Sequence, residues 1–195
     1  MKALFIFIFL LALLFYVLHR VGVQLRHDAS GDKALYLEHL ARSAELAVNP
    51  PPGSESEAAL VLKVKQAFTP FEAERAAVLF PEAYAESFFF RDAFHTFTDR
   101  RTLTDYMVRT AKASPGVTFE FEPPGRNGID FYLPWIMILP ARDGVAPQRS
   151  MGLSRLRFDA NGQVIFHQDY WDSADVLVRR VPVTNGLIEL VRRRF

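Results

Sequence analysis

Residues 158–172 read Phe-Asp-Ala-Asn-Gly-Gln-Val-Ile-Phe-His-Gln-Asp-Tyr-Trp-Asp, and this stretch decides the fold. Asn161-Gly162 suits the positive φ angles of a tight β-turn, and the β-branched and aromatic run over 164–171 reads as a strand. Side chains alternate along a strand, so Ile165, His167, Asp169 and Trp171 share one face. An imidazole and a carboxylate two residues apart, bracketed by large apolar groups, meet wherever that face lines a cavity. Such a pair is the beginning of an acid–base site.

Upstream, the runs 117–122, 131–139 and 150–158 are three more strand candidates, separated from one another and from the last by Pro-Gly, Asp-Gly and Asn-Gly punctuation. Successive strands with short loops make an antiparallel sheet. Arg155 and Arg157 fall on one face of the third run, opposite Gly152, Ser154, Leu156 and Phe158. Thr118, Glu120 and Glu122 likewise oppose Phe119 and Phe121 on the first. If these strands are neighbours, arginines pair with glutamates on an outer, wetter face. The inner face then presents Phe119, Trp135, Met137, Gly152, Ser154, His167 and Asp169, an apolar lining with few polar groups.

Helices come first. Ser54 and Glu57 have capping-box spacing for a helix over 55–68, with Leu60, Val64 and Phe68 along one side. Thr69-Pro70-Phe71-Glu72 combines a capping hydroxyl, an early proline and a glutamate, and predicts a second helix to Phe80, closed by Pro81. Phe88 to Phe94 is too aromatic for a loop and reads as a strand entry, and 102–113 carries Leu103, Tyr106, Met107 and Thr110 on one stripe, a third helix. Asp172-Ser173 is placed to cap a closing helix that Pro182 ends, and a short terminal helix carries Arg192, Arg193 and Arg194. Helices followed by a curved antiparallel sheet make an α+β domain, the helices packed on the concave face.

The amino terminus has a different character. Ala3 to Leu18 is unbroken apolar sequence between Lys2 and His19-Arg20. With Val21 to Val23 it approaches the roughly 20 residues of a membrane span, and no small-x-small cleavage site follows it. Residues 1–25 are therefore expected to be a single-pass transmembrane anchor in the cell membrane, with basic residues on both flanks leaving its orientation open. Residues 26–53 read as a membrane-proximal amphipathic helix over 33–48 ended by the linker Asn49-Pro50-Pro51-Pro52-Gly53, and 54–195 as the domain proper. The chain has 23 basic and 22 acidic residues. Without a concentrated basic face, nucleic acid is not its expected partner. Cysteine is absent, which excludes disulfide and thiolate chemistry. No metal-ligand spacing joins the histidines and acids, and neither metal nor cofactor is expected.

Phe90 to His95 and, more specifically, Gly152 to Asp172 give the chain a resemblance to the nuclear transport factor 2-like superfamily, and within it to SnoaL-like proteins, from about residue 71 to the end. The resemblance implies a cone-shaped domain with a pocket between helices and concave sheet, often a homodimer through the sheet's outer side. It spans isomerases, hydrolases, cyclases and non-catalytic binders, so fold does not settle function. Asp92 matches the position of the proton-shuttling aspartate of ketosteroid isomerases, whose oxyanion-stabilising acid is replaced by Ser154. Asp169 matches one acid of the limonene-epoxide hydrolase triad, whose other two positions hold Trp135 and Met137.

The residues thus nominate Asp92, His167 and Asp169 for acid–base chemistry, because carboxyls shielded from water hold protons more tightly and can shuttle them near neutral pH. Ser154 or Tyr106 would donate to a developing oxyanion, with Trp135, Met137 and Trp171 as further ligand contacts. The expected ligand is small and apolar or lipid-like. Against this stands a non-catalytic module, in which the same Asp–His pair only satisfies its own hydrogen bonds. A third reading is a dimerising unit at the membrane with Phe166 and Tyr170 in its interface.

Overall fold

The computed structural model describes residues 2–24, 29–141, 146–173 and 182–194, and the chain divides into two compact units, Met1–Leu35 and Tyr36–Phe195. The first unit holds α1 (Lys2–Gln24) and the opening of α2 (Ala29–Leu46). From Phe9 to Leu18 every large apolar side chain of α1 is exposed. Among the described residues no helix is long and apolar enough to cross a membrane. His19 and Arg20 end the unbroken apolar run short of the roughly 20 residues a span needs, so the expected transmembrane helix is not found.

The second unit is built on a curved, unclosed sheet. Its described strands are β1 (Tyr84–Arg91), β2 (Thr96–Phe97), β3 (Thr118–Phe121), β4 (Gly125–Asn127), β5 (Asp130–Leu139), β6 (Gln148–Phe158) and β7 (Val164–Trp171). They lie in the order β2-β1-β7-β6-β5-β3, with β4 also paired to β5. The sheet is mixed, not purely antiparallel as the sequence suggests, because β1 runs parallel to β7. Short connections force β5, β6 and β7 to alternate direction. No such loop joins β1 to β7: α5 and the strands β2 to β6 lie between them in sequence, so no tight turn imposes an antiparallel pairing.

Three helices cover the inner face: α3 (Glu55–Phe68), α4 (Ala73–Ala83) and α5 (Arg100–Ala113). α3 starts as expected, with the Ser54 hydroxyl accepting the Glu57 amide at 3.2 Å. The second expected start is displaced. Thr69 is the C-cap of α3, not the start of the next helix, and donates to the Phe119 carbonyl at 3.3 Å, while α4 begins at Ala73 without a side-chain cap and runs through Pro81 to Ala83. Pro81 costs only one backbone bond in the last turn, and its carbonyl accepts from Arg100. Pro182 opens α6 (Pro182–Arg192). The closing helix expected after Ser173 lies outside the described residues.

Val61, Val64, Phe80, Leu103 and Met107 from the helices meet Phe88, Phe90, Phe131, Leu133, Leu156 and Phe158 from the sheet in one core. The β6–β7 register slips between Arg157 and Phe158. This bulge brings Val164, and not Ile165, into the core, so the strict alternation expected from Ile165 onward holds only from His167.

The outer face is covered by the carboxy-terminal half of α2. Tyr36 packs edge-on against Phe89 and Phe166 with ring centroids 5.9 and 5.5 Å apart, and His39 lies over Phe89 at 5.5 Å. Both phenylalanines are fully buried. Phe166 therefore points outward as expected, but against this chain's own helix. β5 separates β3 from β6, so the expected arginine–glutamate pairs do not form at Arg155 and Arg157; both instead bind Asp130 of β5. Among the described residues only Arg149 reaches across to Glu120. Arg157 also donates to the Leu40 carbonyl at 2.6 Å and the Ser43 hydroxyl at 3.0 Å, which ties α2 to the sheet. The proline-rich stretch is bonded to the same unit, through Arg126 to the Pro50 carbonyl at 2.9 Å and the Asn49 side chain.

Candidate functional site

Between α3, α5 and the inner sheet face lies a cavity of about 210 Å³. A cavity of roughly 150 Å³ accepts benzene, so this one has room for a molecule of on the order of ten non-hydrogen atoms. Its walls are mostly aromatic and aliphatic, with Phe68, Phe90, Phe119 and Met107 among them. All five expected contacts, Tyr106, Trp135, Met137, Ser154 and Trp171, line it, as do both carboxylates, Asp92 and Asp169. His167 does not line the cavity. It is 1% exposed, stacked on Tyr84 with rings 6.0 Å apart and edge-on to Phe90 at 4.8 Å.

Cross-strand register builds the polar part of the wall. Trp135 faces Gly152 across β5–β6, and Gly152 faces Trp171 across β6–β7. Two residues along, Ser154 faces Asp169. One chain of hydrogen bonds links this wall to the buried histidine. The Trp135 indole donates to the Ser154 hydroxyl at 3.0 Å, and Ser154 donates to Asp169 Oδ1. His167 Nε2 lies 2.7 Å from the same oxygen, and His167 Nδ1 lies 2.6 Å from the Tyr84 hydroxyl.

The direction of the chain follows from what each group can give. An indole only donates, so Ser154 must accept from it and pass its own proton to Asp169. Burial, and then the nearby charge of Asp169, push the Tyr84 hydroxyl well above its ordinary pKa. Tyr84 thus keeps its proton, and the His167 ring bridges the Tyr84 hydroxyl at Nδ1 and the Asp169 carboxylate at Nε2. Asp169 Oδ1 takes both bonds; among the hydrogen bonds of the described residues Oδ2 takes none. The Asp169 side chain is 12% exposed at the cavity wall.

Asp92 is committed differently. Its Oδ1 accepts the Phe94 and His95 amides, both at 2.7 Å, closing the turn between β1 and β2. Its Oδ2 accepts the Tyr106 hydroxyl at 2.6 Å. Burial, then the bond to Asp92 and its charge, raise the Tyr106 pKa, so that proton stays on the phenol. Ser154 and Tyr106, the expected donors to an oxyanion, therefore both give their protons to carboxylates. Tyr84 is the member of the chain that sequence reading misses. It lies beyond Pro81, where the sequence places no element, and only the β1–β7 pairing brings it to His167, while it stacks on Phe80 at 5.8 Å.

Gly152 makes this wall possible. A Cβ there would lie 2.2 Å from the Trp135 ring. Gly152→Ala is expected to swing the indole away from Ser154 and cost about 1–3 kcal/mol, as overpacking does. A changed tryptophan emission together with a lower denaturation midpoint would report both, and an unchanged protein would show that the indole position does not depend on the glycine.

By sequence the chain matches no family model and no curated protein. Solved structures do match. A candidate isomerase of the SnoaL-like family from Agrobacterium tumefaciens superposes with a TM-score of 0.51 and 17% identity, covering 62% of this chain and all of its own. A candidate SnoaL-like polyketide cyclase from a Jannaschia species gives 0.53 and 12%, over 67% of this chain and 95% of its own. A ketosteroid isomerase-like fold from Catenulispora acidiphila, in complex with trimethylamine, gives 0.51 and 18%, over 60% and 88%. The fold is that of the nuclear transport factor 2-like superfamily. Among the described residues no three His, Asp or Glu side chains cluster as metal ligands.

Proposed function

We propose that this nuclear transport factor 2-like domain binds a small molecule with a compact apolar body in the cavity and exchanges a proton with it through Asp169. The observation that carries the reading is the unengaged Oδ2 of Asp169 at an apolar wall, with Oδ1 held by Ser154 and His167. A proton leaving the ligand would pass to Oδ2. The two donors on Oδ1 fix the carboxylate's orientation, and His167, itself fixed by Tyr84, positions it from behind. Asp92 would shape the mouth through its turn and through Tyr106. The trimethylamine complex of the Catenulispora protein shows that protein with a ligand small enough for a hollow of this size.

The test uses 3-cyclohexen-1-one, a small ketone whose isomerisation to the conjugated enone needs a base and is read by absorbance. Wild type is expected to accelerate it and Asp169→Asn to lose about 100-fold or more, with an unchanged melting temperature. Equal rates in the two proteins would remove the catalytic assignment. A second reading, a non-catalytic binder, is favoured by one observation: Ser154 and Tyr106 have no free proton for an oxyanion. Native mass spectrometry showing a retained ligand, together with no isomerisation by wild type, would select it.

We also read α1 as the segment that attaches the chain to a membrane, since it is apolar and exposed all round between Phe9 and Leu18. The full chain is expected to pellet with membranes and resist a salt wash, while a chain starting at Tyr36 stays in the supernatant. Equal partition would refute attachment through α1.

A further inference from the structure

The cavity holds charge of one sign. Among the described residues that line it, Asp92 and Asp169 are the only ones with a formal charge. Asp92 is quenched by two amides and a phenol. Asp169 differs: Ser154 and His167 both meet its Oδ1, and among the hydrogen bonds of the described residues Oδ2 takes none. The nearest hydroxyl donors are spent on these carboxylates. A ligand that satisfies Oδ2 must bring the positive charge or the proton itself.

The walls next to this oxygen suit a cation. Trp135 is one hydroxyl away through Ser154, and Trp171 stands two residues beyond Asp169 on the same face of β7. The two indoles lie 6.2 Å apart at 50° to each other, and Phe94 meets Trp171 edge-on at 6.0 Å. Aromatic faces attract ammonium groups through the ring quadrupole, the more so when water is excluded.

We propose that the cavity selects an ammonium ligand, a tertiary or quaternary amine joined to a compact apolar body, with its cationic head between Asp169 Oδ2 and the faces of Trp135 and Trp171. This rests on the small-molecule reading above and names the class of molecule. Among the described residues the lining offers no cation for a phosphate, which favours a free amine over a phosphocholine lipid head.

Trp135 and Trp171 are the chain's two tryptophans and both line the cavity, so intrinsic fluorescence reports its occupancy. Phenyltrimethylammonium and tert-butylbenzene have the same shape and differ in charge. The full chain is expected to bind the cation at least about 10-fold more tightly than the hydrocarbon, and phosphocholine not to compete. In Asp169→Asn the preference should fall to near unity while tert-butylbenzene still binds. Trp171→Leu, which leaves the hydrogen-bond chain and the Trp135 reporter in place, should weaken the cation more than the hydrocarbon. Equal binding of the two probes to wild type overturns the ammonium proposal and leaves the small-molecule reading standing. Binding of neither overturns both. Displacement by phosphocholine overturns the preference for a free amine over a lipid head.

Discussion

A chain that begins at Ser54 is expected to self-associate or unfold, while one that begins at Tyr36 stays folded and monodisperse. The sequence reading would choose the first start, since the prolines before Ser54 look like a linker. The structure shows what that choice removes. Tyr36 and His39 are the rings that pack on Phe89 and Phe166. Leu40 and Ser43 accept from Arg157, and the Val48 amide donates to the Phe158 carbonyl at 2.8 Å. Exposing two buried phenylalanines costs about 3–6 kcal/mol at roughly 1.5–3 each. Domains of this size are stable by only about 5–15 kcal/mol. The exposed patch would be apolar and on the outer sheet face, so a second copy could replace the helix. Sedimentation of the two truncations decides it: a stable monomer from Ser54 would show that α2 contributes little. Tyr170 gives a second readout, because burial and then its bond to Tyr36 push its pKa up to about 12. That value should fall toward 10 when Tyr36 is removed.

What the sequence made legible was local. The α3 cap, the stripe of α5 and the runs that became β5, β6 and β7 depend on neighbours within a few residues. The turn after β6 shows where such reading stops being detailed. Gly162 takes a positive φ of 70° as expected, but Asp159 organises the loop by accepting the Asn161 and Gln163 amides at 2.9 and 2.8 Å. Alternation along β7 put Asp169 and Trp171 at a cavity correctly, and the same logic put His167 there incorrectly. Its side chain does point inward, but Tyr84, Phe90 and Phe68 fill the space in front of it. No spacing rule encodes Tyr84, Asp130 or the α2 strap. Each owes its role to pairing between segments far apart in sequence, and β1 beside β7 is the pairing on which most of them depend.

Asp130 is the residue for which a single substitution should cost most. It is 7% exposed and holds two guanidinium groups at once, Arg155 through Nε at 3.0 Å and Nη2 at 2.6 Å, and Arg157 through Nε at 2.6 Å and Nη2 at 3.2 Å. Arg157 is itself 5% exposed and lies between sheet and α2. Asp130→Asn keeps the shape and removes the charge, leaving two cations close together with one of them out of water. Breaking such a buried pair costs about 3–5 kcal/mol, most of it the penalty on the abandoned partner. The triple change Asp130→Leu, Arg155→Met, Arg157→Met should therefore recover much of the loss, since it abandons no charge. A triple variant as unstable as Asp130→Asn would mean instead that the bonds from Arg157 to α2 carry the stability. The dependence on pH has a definite sign. Burial alone would raise the Asp130 carboxyl, but the hydrogen bonds and charges of Arg155 and Arg157 outweigh it and hold the folded-state value below the ordinary 3.8. Its contribution is then fully present above about pH 4 and is lost as pH falls through the folded value. Denaturant titrations at pH 7 and near pH 3 should show the gap between wild type and Asp130→Asn closing in acid, and a gap that holds constant would show that the carboxylate's charge is not what joins α2, β5 and β6.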